Sequence, residues 1–183
     1  MTSRILAVLL ALTAPPAAAQ PVGSMVASDL SRDGRVERFA LIDGGDGAVD
    51  LRIENTGFGN GVIYAEDIAW IGGIGQRPEL GIAPNGSVRV TSMNDAIGRS
   101  RWELTLTIAY RDGSYTLAGV TYRWRDTIEL ADNGVCDVNL LTGKGVLQRN
   151  GGPIRSFRTA MSARPATGWN LDTPLPPECG IPN

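Results

Sequence analysis

Residues 29–37 read Asp-Leu-Ser-Arg-Asp-Gly-Arg-Val-Glu, and the spacing of their oxygens is that of a loop wrapped around a hard cation. Asp29, Ser31, Asp33 and Glu37 stand where side-chain ligands belong, the Arg35 carbonyl supplies the main-chain ligand, and Gly34 allows the sharp turn between them. The chemistry on offer is calcium binding for structure rather than catalysis. The same Asp- and Gly-rich stretch serves equally, with no ion, as the turn that starts a first hairpin. Arg32, Arg35 and Arg38 put positive charge beside the proposed cation, which weakens it as a ligand set.

A second constellation gathers Arg99, Arg101, Trp102, Tyr122 and Trp124 near one end of a long hairpin. Guanidinium groups beside aromatic rings suit stacking on sugars or anchoring of a protein partner. The competing expectation is that the rings fill the core. Acid–base chemistry has few residues to work with, because the chain contains no histidine. That excludes Ser-His-Asp and Cys-His hydrolases and His-ligated zinc, and two cysteines cannot complete a tetrahedral site alone. Glu103, Asp126 and Asp137 remain as carboxyl groups for a histidine-independent glycan hydrolase, which needs two of them facing one cleft.

The acidic loop resembles an FG-GAP or VCBS-type repeat, in which such a loop runs directly into a strand, here Phe39-Ala40-Leu41-Ile42. Ala40 stands where an EF-hand has its bidentate Glu, so the EF-hand pattern itself is not met. Residues 94–102 (Asn-Asp-Ala-Ile-Gly-Arg-Ser-Arg-Trp) and 137–145 (Asp-Val-Asn-Leu-Leu-Thr-Gly-Lys-Gly) resemble segments of a group of uncharacterised exported bacterial proteins. That resemblance implies one β domain and brings no activity with it. Gly143-Lys144 is not a phosphate loop, since Gly145 replaces the Ser or Thr that would hold magnesium.

The elements that must position these residues are short strands joined by glycine-rich turns. Residues 101–125 form a hairpin about Asp112-Gly113; pairing Tyr110 with Tyr115 sets Ile108 by Leu117, Leu106 by Gly119 and Leu104 by Thr121. Further hairpins pair 38–43 with 49–54, and 79–83 with 87–92 across Asn85-Gly86. A strand over 135–141 returns through 146–149. Eight to ten such strands predict an all-β fold, a single antiparallel meander of short hairpins arranged as a sandwich or open barrel-like sheet. The organisation expected is a signal peptide over 1–19, a lead over 20–28, the β domain over 29–166 and a Pro-rich tail over 167–183.

The signal peptide is read from Arg4, the apolar run 5–12, Pro15-Pro16 and Ala17-Ala18-Ala19. It predicts a periplasmic or secreted protein, with cleavage before Gln20 leaving 164 of the 183 residues. Loss of Arg4 takes the net charge from −2 to −3, and Lys144 is the only lysine, so no basic stripe for nucleic acid exists. No later apolar run is long enough to predict a membrane span. Cys136 and Cys179, an even pair in an exported chain, are expected to form a disulfide that tethers the tail. Closing a loop of about 40 residues contributes on the order of 3–4 kcal/mol. Function is thus expected to be that of a soluble exported, non-enzymatic module binding an envelope protein or glycan, stabilised by calcium if the acidic loop holds it, with the glycan hydrolase as the alternative. Nothing points to an organic cofactor.

Overall fold

The computed structural model describes residues 21–54, 61–73 and 75–181; the expected signal peptide lies outside them. Twelve strands form among the described residues: β1 (Pro21–Ser28), β2 (Glu37–Gly45), β3 (Ala48–Glu54), β4 (Val62–Trp70), β5 (Glu79–Ile82), β6 (Val88–Asn94), β7 (Ser100–Arg111), β8 (Ser114–Asp126), β9 (Asn133–Asn139), β10 (Lys144–Arg149), β11 (Arg155–Arg158) and β12 (Arg164–Pro165). Two single 3-10 turns, Ala166–Gly168 and Pro177–Cys179, are the only helical segments described. The fold is all-β, as the succession of short strands and glycine-rich turns predicts.

Two antiparallel sheets result. The smaller runs β1-β2-β3-β4 and the larger runs β11-β10-β9-β8-β7-β6-β5, a meander in chain order, with β12 added to β8. Alternation decides which side of each strand turns inward. Phe39, Leu41, Val49, Leu51 and Ile53 from the smaller sheet and Val88, Val90, Leu106, Ile108, Leu117, Val120 and Val138 from the larger are buried in one common core. The sheets therefore pack face to face without closing into a barrel.

Edges β1 and β5 meet where the Leu80 N–H donates to Ser24 Oγ at 2.7 Å. Elsewhere the C-terminal segment bridges the sheets. Arg164 pairs with Leu117 on β8, Ala166 and Trp169 are buried, and the Leu171 N–H donates to the Asp67 carbonyl on β4 at 3.0 Å. The expected disulfide joins Cys136 on β9 to Cys179, with Cα atoms 5.6 Å apart. Arg149 adds a clamp, its Nη2 donating to the Cys179 carbonyl at 2.9 Å and the Gly180 carbonyl at 3.0 Å.

Two sequence expectations need correction, and one strand lies outside them. The lead is not a lead: Pro21–Ser28 is strand β1, paired with β2 from Ser28↔Glu37 to Pro21↔Ile42. Strand β4 escapes a period-2 reading because a bulge interrupts it, with Leu51 opposite Ala65 but Val49 opposite Ala69, and Asp67 at φ 50 inside the break. The long hairpin pairs Tyr110 with Tyr115 and Ile108 with Leu117 as predicted, but Thr107 faces Gly119, leaving Ala118 as an extra residue. Beyond that bulge Leu106 meets Val120, Leu104 meets Tyr122 and Trp102 meets Trp124. A one-residue slip exchanges the two faces, so Tyr122 turns inward with the leucines rather than outward with Glu103.

Candidate functional site

The acidic loop is closed on itself. Asp29 accepts the N–H groups of Asp33 and Gly34, both at 3.1 Å, and Asp33 accepts that of Arg35 at 2.8 Å. Glu37 is wholly buried, taking the Leu30 N–H at 2.8 Å on one oxygen, and the Ser31 N–H at 3.1 Å and the Tyr115 hydroxyl at 3.0 Å on the other. Burial, then the hydrogen bond to Glu37, hold the Tyr115 phenol well above its ordinary range. Calcium takes six to eight oxygens converging on one point. Here the carboxylates point at N–H donors, and among the described residues no three acidic or cysteine side chains converge in that way. Ser31 Oγ is buried without a hydrogen bond, but a lone hydroxyl is no cage. The donor set does not fit the ion, and the loop acts as a turn clamped onto β8.

The arginine and aromatic residues singled out from sequence divide between two faces. Trp102, Tyr122 and Trp124 lie on the inner side at the end of the core, half-buried and stacked at centroid distances of 6.5 and 6.1 Å. Trp70 from β4 extends the row, 5.5 Å from Trp102, and the Arg149 guanidinium lies 4.9 Å from the Trp124 ring centroid. Burial raises the Tyr122 pKa. Trp124 packs so close to Gly134 that a Cβ there would meet its ring at 2.5 Å. Of these rings Trp124 packs against the core, and both Trp102 and Trp124 also border the groove described next. Trp70 and Arg149 were invisible to sequence reasoning because neither is near the hairpin in the chain.

Arg101 turns to the other side. With Glu103, Arg123 and Arg125 it lines an open groove of about 950 Å³ on the larger sheet, which also includes Asp95, Met93, Val135 and Gln148 and is bordered by Trp102, Trp124 and Asp126. Alternation puts them there: Met93↔Glu103↔Arg123↔Val135↔Gln148 is one row across five strands, with Arg101↔Arg125↔Asn133 beside it. Arg123 Nη1 donates to Glu103 at 2.7 Å, and Arg125 pairs with Asp95.

The three carboxyl groups proposed for hydrolysis each have a separate partner. Glu103 is on Arg123, and Asp137 accepts from the Thr121 hydroxyl at 3.1 Å. Asp126 accepts Arg99 Nε at 2.6 Å and the N–H groups of Ile128 and Glu129 at 2.7 and 2.8 Å. Arg99 thereby belongs to the 126–129 turn. Its hydrogen bond, followed by the N–H from Glu129, lowers the Asp126 pKa to about 2. A carboxyl so strongly ionised cannot serve as a general acid near neutrality. No protein-family model, curated protein or solved structure matches the chain.

The Asp126 shift has a stability consequence. Its folded pKa lies below the unfolded carboxylate value of about 3.9, so the contribution is present above that pH and lost as pH falls toward 2. An acid titration of the folded protein followed by circular dichroism should show Asp126→Asn less stable at pH 6 and converging on wild type near pH 2. Parallel curves across that window would remove the linkage.

Proposed function

We propose that this protein is an exported, non-enzymatic binding module that holds a glycan of the cell envelope on the outer face of its larger sheet. The observation that carries it is the groove: the inner face of that sheet is covered by the second sheet and the C-terminal segment, whereas the outer face presents a broad depression in which charged and amide side chains are interspersed with the apolar Met93 and Val135. A polyhydroxylated chain matches such a surface, since each hydroxyl both gives and accepts hydrogen bonds. Export is supported by the pattern of residues 1–19 and by the Cys136–Cys179 bond, which persists in oxidising compartments. The ionised Asp126 and the separate partners of Glu103 and Asp137 favour binding over hydrolysis.

The test is depletion of the protein from solution by purified, insoluble peptidoglycan. Wild type should sediment with it, while the Glu103→Ala/Arg123→Ala double variant should bind at least ten-fold more weakly. Removing an exposed ion pair together costs at most about 1 kcal/mol, so the fold stays intact. Equal depletion of the two proteins, or none of either, overturns the assignment.

A further inference from the structure

We infer that the groove is selective for a glycan bearing a carboxylate, and that Arg101 is the seat of that anion; this rests on the glycan-binding function proposed above. The argument starts from a local imbalance. On the outer face Arg101 lies directly opposite Arg125 across β7 and β8, a like-charge pair that is unfavourable in a sheet unless something relieves it. Arg125 is relieved by Asp95, and Arg123 one row away by Glu103. Asp126, also at the groove, is taken by Arg99. Arg101 is left with no ion pair among the described residues, and its Nη1 is buried with no hydrogen bond within the protein.

A buried guanidinium N–H without an acceptor is costly to keep, more so than a neutral one. Arg101 nonetheless sits in the groove wall rather than swinging away, beside two other guanidinium groups that each still have N–H donors to offer. Counted with Arg99, the site holds four arginines against Glu103, Asp95 and Asp126, one positive charge in excess. That excess matches a monoanion. A planar carboxylate fits the fork of a guanidinium edge to edge, and the flanking carboxylates of Glu103 and Asp95 repel a dianion such as a phosphate monoester.

The probes are a galacturonic acid trimer, the neutral galactose trimer, and inorganic phosphate and acetate as competitors, titrated calorimetrically into the oxidised protein. The acidic trimer should bind at least ten-fold more tightly than the neutral one, acetate should compete for it, and phosphate should compete no better. Arg101→Gln should bring the acidic trimer down to the neutral level, and Arg101→Lys, with charge but no fork, should recover only part of the preference. Melts of both variants against wild type confirm that they are folded, and the Lys variant keeps the test open if the Gln variant is not. Equal binding of the two trimers, stronger competition by phosphate, or a preference that survives Arg101→Gln each overturns the inference. If peptidoglycan still depletes the protein in those cases, glycan binding stands without carboxylate selectivity; if neither trimer nor peptidoglycan binds, both fall.

Discussion

Glu37→Ala should be among the most destabilising single substitutions in this chain, with a loss of about 4 kcal/mol or more, read as a collapse of the urea midpoint. Three donors converge on the Glu37 carboxylate: the Leu30 and Ser31 N–H groups and the Tyr115 hydroxyl. Removing the acceptor leaves all three without a partner around a fully buried position, each a penalty of roughly 1–3 kcal/mol. The Tyr115 ring is itself fixed in the core by edge contacts with Phe39 at 6.1 Å and Tyr110 at 5.1 Å, so it cannot follow the cavity to find water. Glu37→Gln keeps one acceptor and should lose about half as much, while Tyr115→Phe should lose only about 1–2 kcal/mol, since it removes a single donor. Millimolar calcium should leave the wild-type midpoint unchanged and rescue none of the variants. A calcium-dependent rise, abolished by Asp33→Ala, would restore the cation loop. Glu37→Ala with a wild-type midpoint would show that the clamp between loop and β8 contributes nothing.

How much of this was legible beforehand varies by the range of the interaction. The turns at Asp112-Gly113 and Asn85-Gly86 were readable because their geometry is set by the dipeptide itself: Asp112, Gly113 and Gly86 all adopt positive φ. The Cys136–Cys179 pair followed from there being only two cysteines. The register of the long hairpin was right up to the bulge and wrong beyond it, since nothing in Thr-Leu-Ala-Gly-Val announces that Ala118 has no partner. That single residue decided the candidate site. It sent Tyr122 inward to stack with Trp102 and Trp124, and it set Arg123 and Arg125 opposite Glu103 and Arg101 on the outer face. The acidic loop shows the converse limit, because ligand spacing fixes which residues carry oxygens but not whether those oxygens turn toward an ion or toward backbone N–H groups.

Breaking the disulfide, by Cys136→Ser with Cys179→Ser or by reduction, should lower stability by about 3–4 kcal/mol, given the sequence separation of 43 residues that the bond closes. The loss should be accompanied by a change in shape. The C-terminal segment has few backbone hydrogen bonds to hold it, because Pro174, Pro176 and Pro177 have no N–H to donate, and its only strand is the two-residue β12. What remains is the burial of Ala166 and Trp169, the Leu171 N–H on the Asp67 carbonyl, the packing of Leu175 and Ile181 on the core, and the Arg149 clamp on the carbonyls of Cys179 and Gly180. Once the bond is cut that clamp loses its fixed target, and the guanidinium over Trp124 is freed with it. Partial release of the segment predicts a red-shifted tryptophan emission and a lower urea m-value than the oxidised protein, since surface normally exposed only on unfolding is already wet. Arg101, Glu103, Arg123 and Arg125 lie on the opposite face of the sheet, so ligand binding to them should survive reduction at temperatures where the sheets remain folded. A reduced protein with unchanged midpoint and emission would show instead that these non-covalent contacts keep the segment in place without the disulfide.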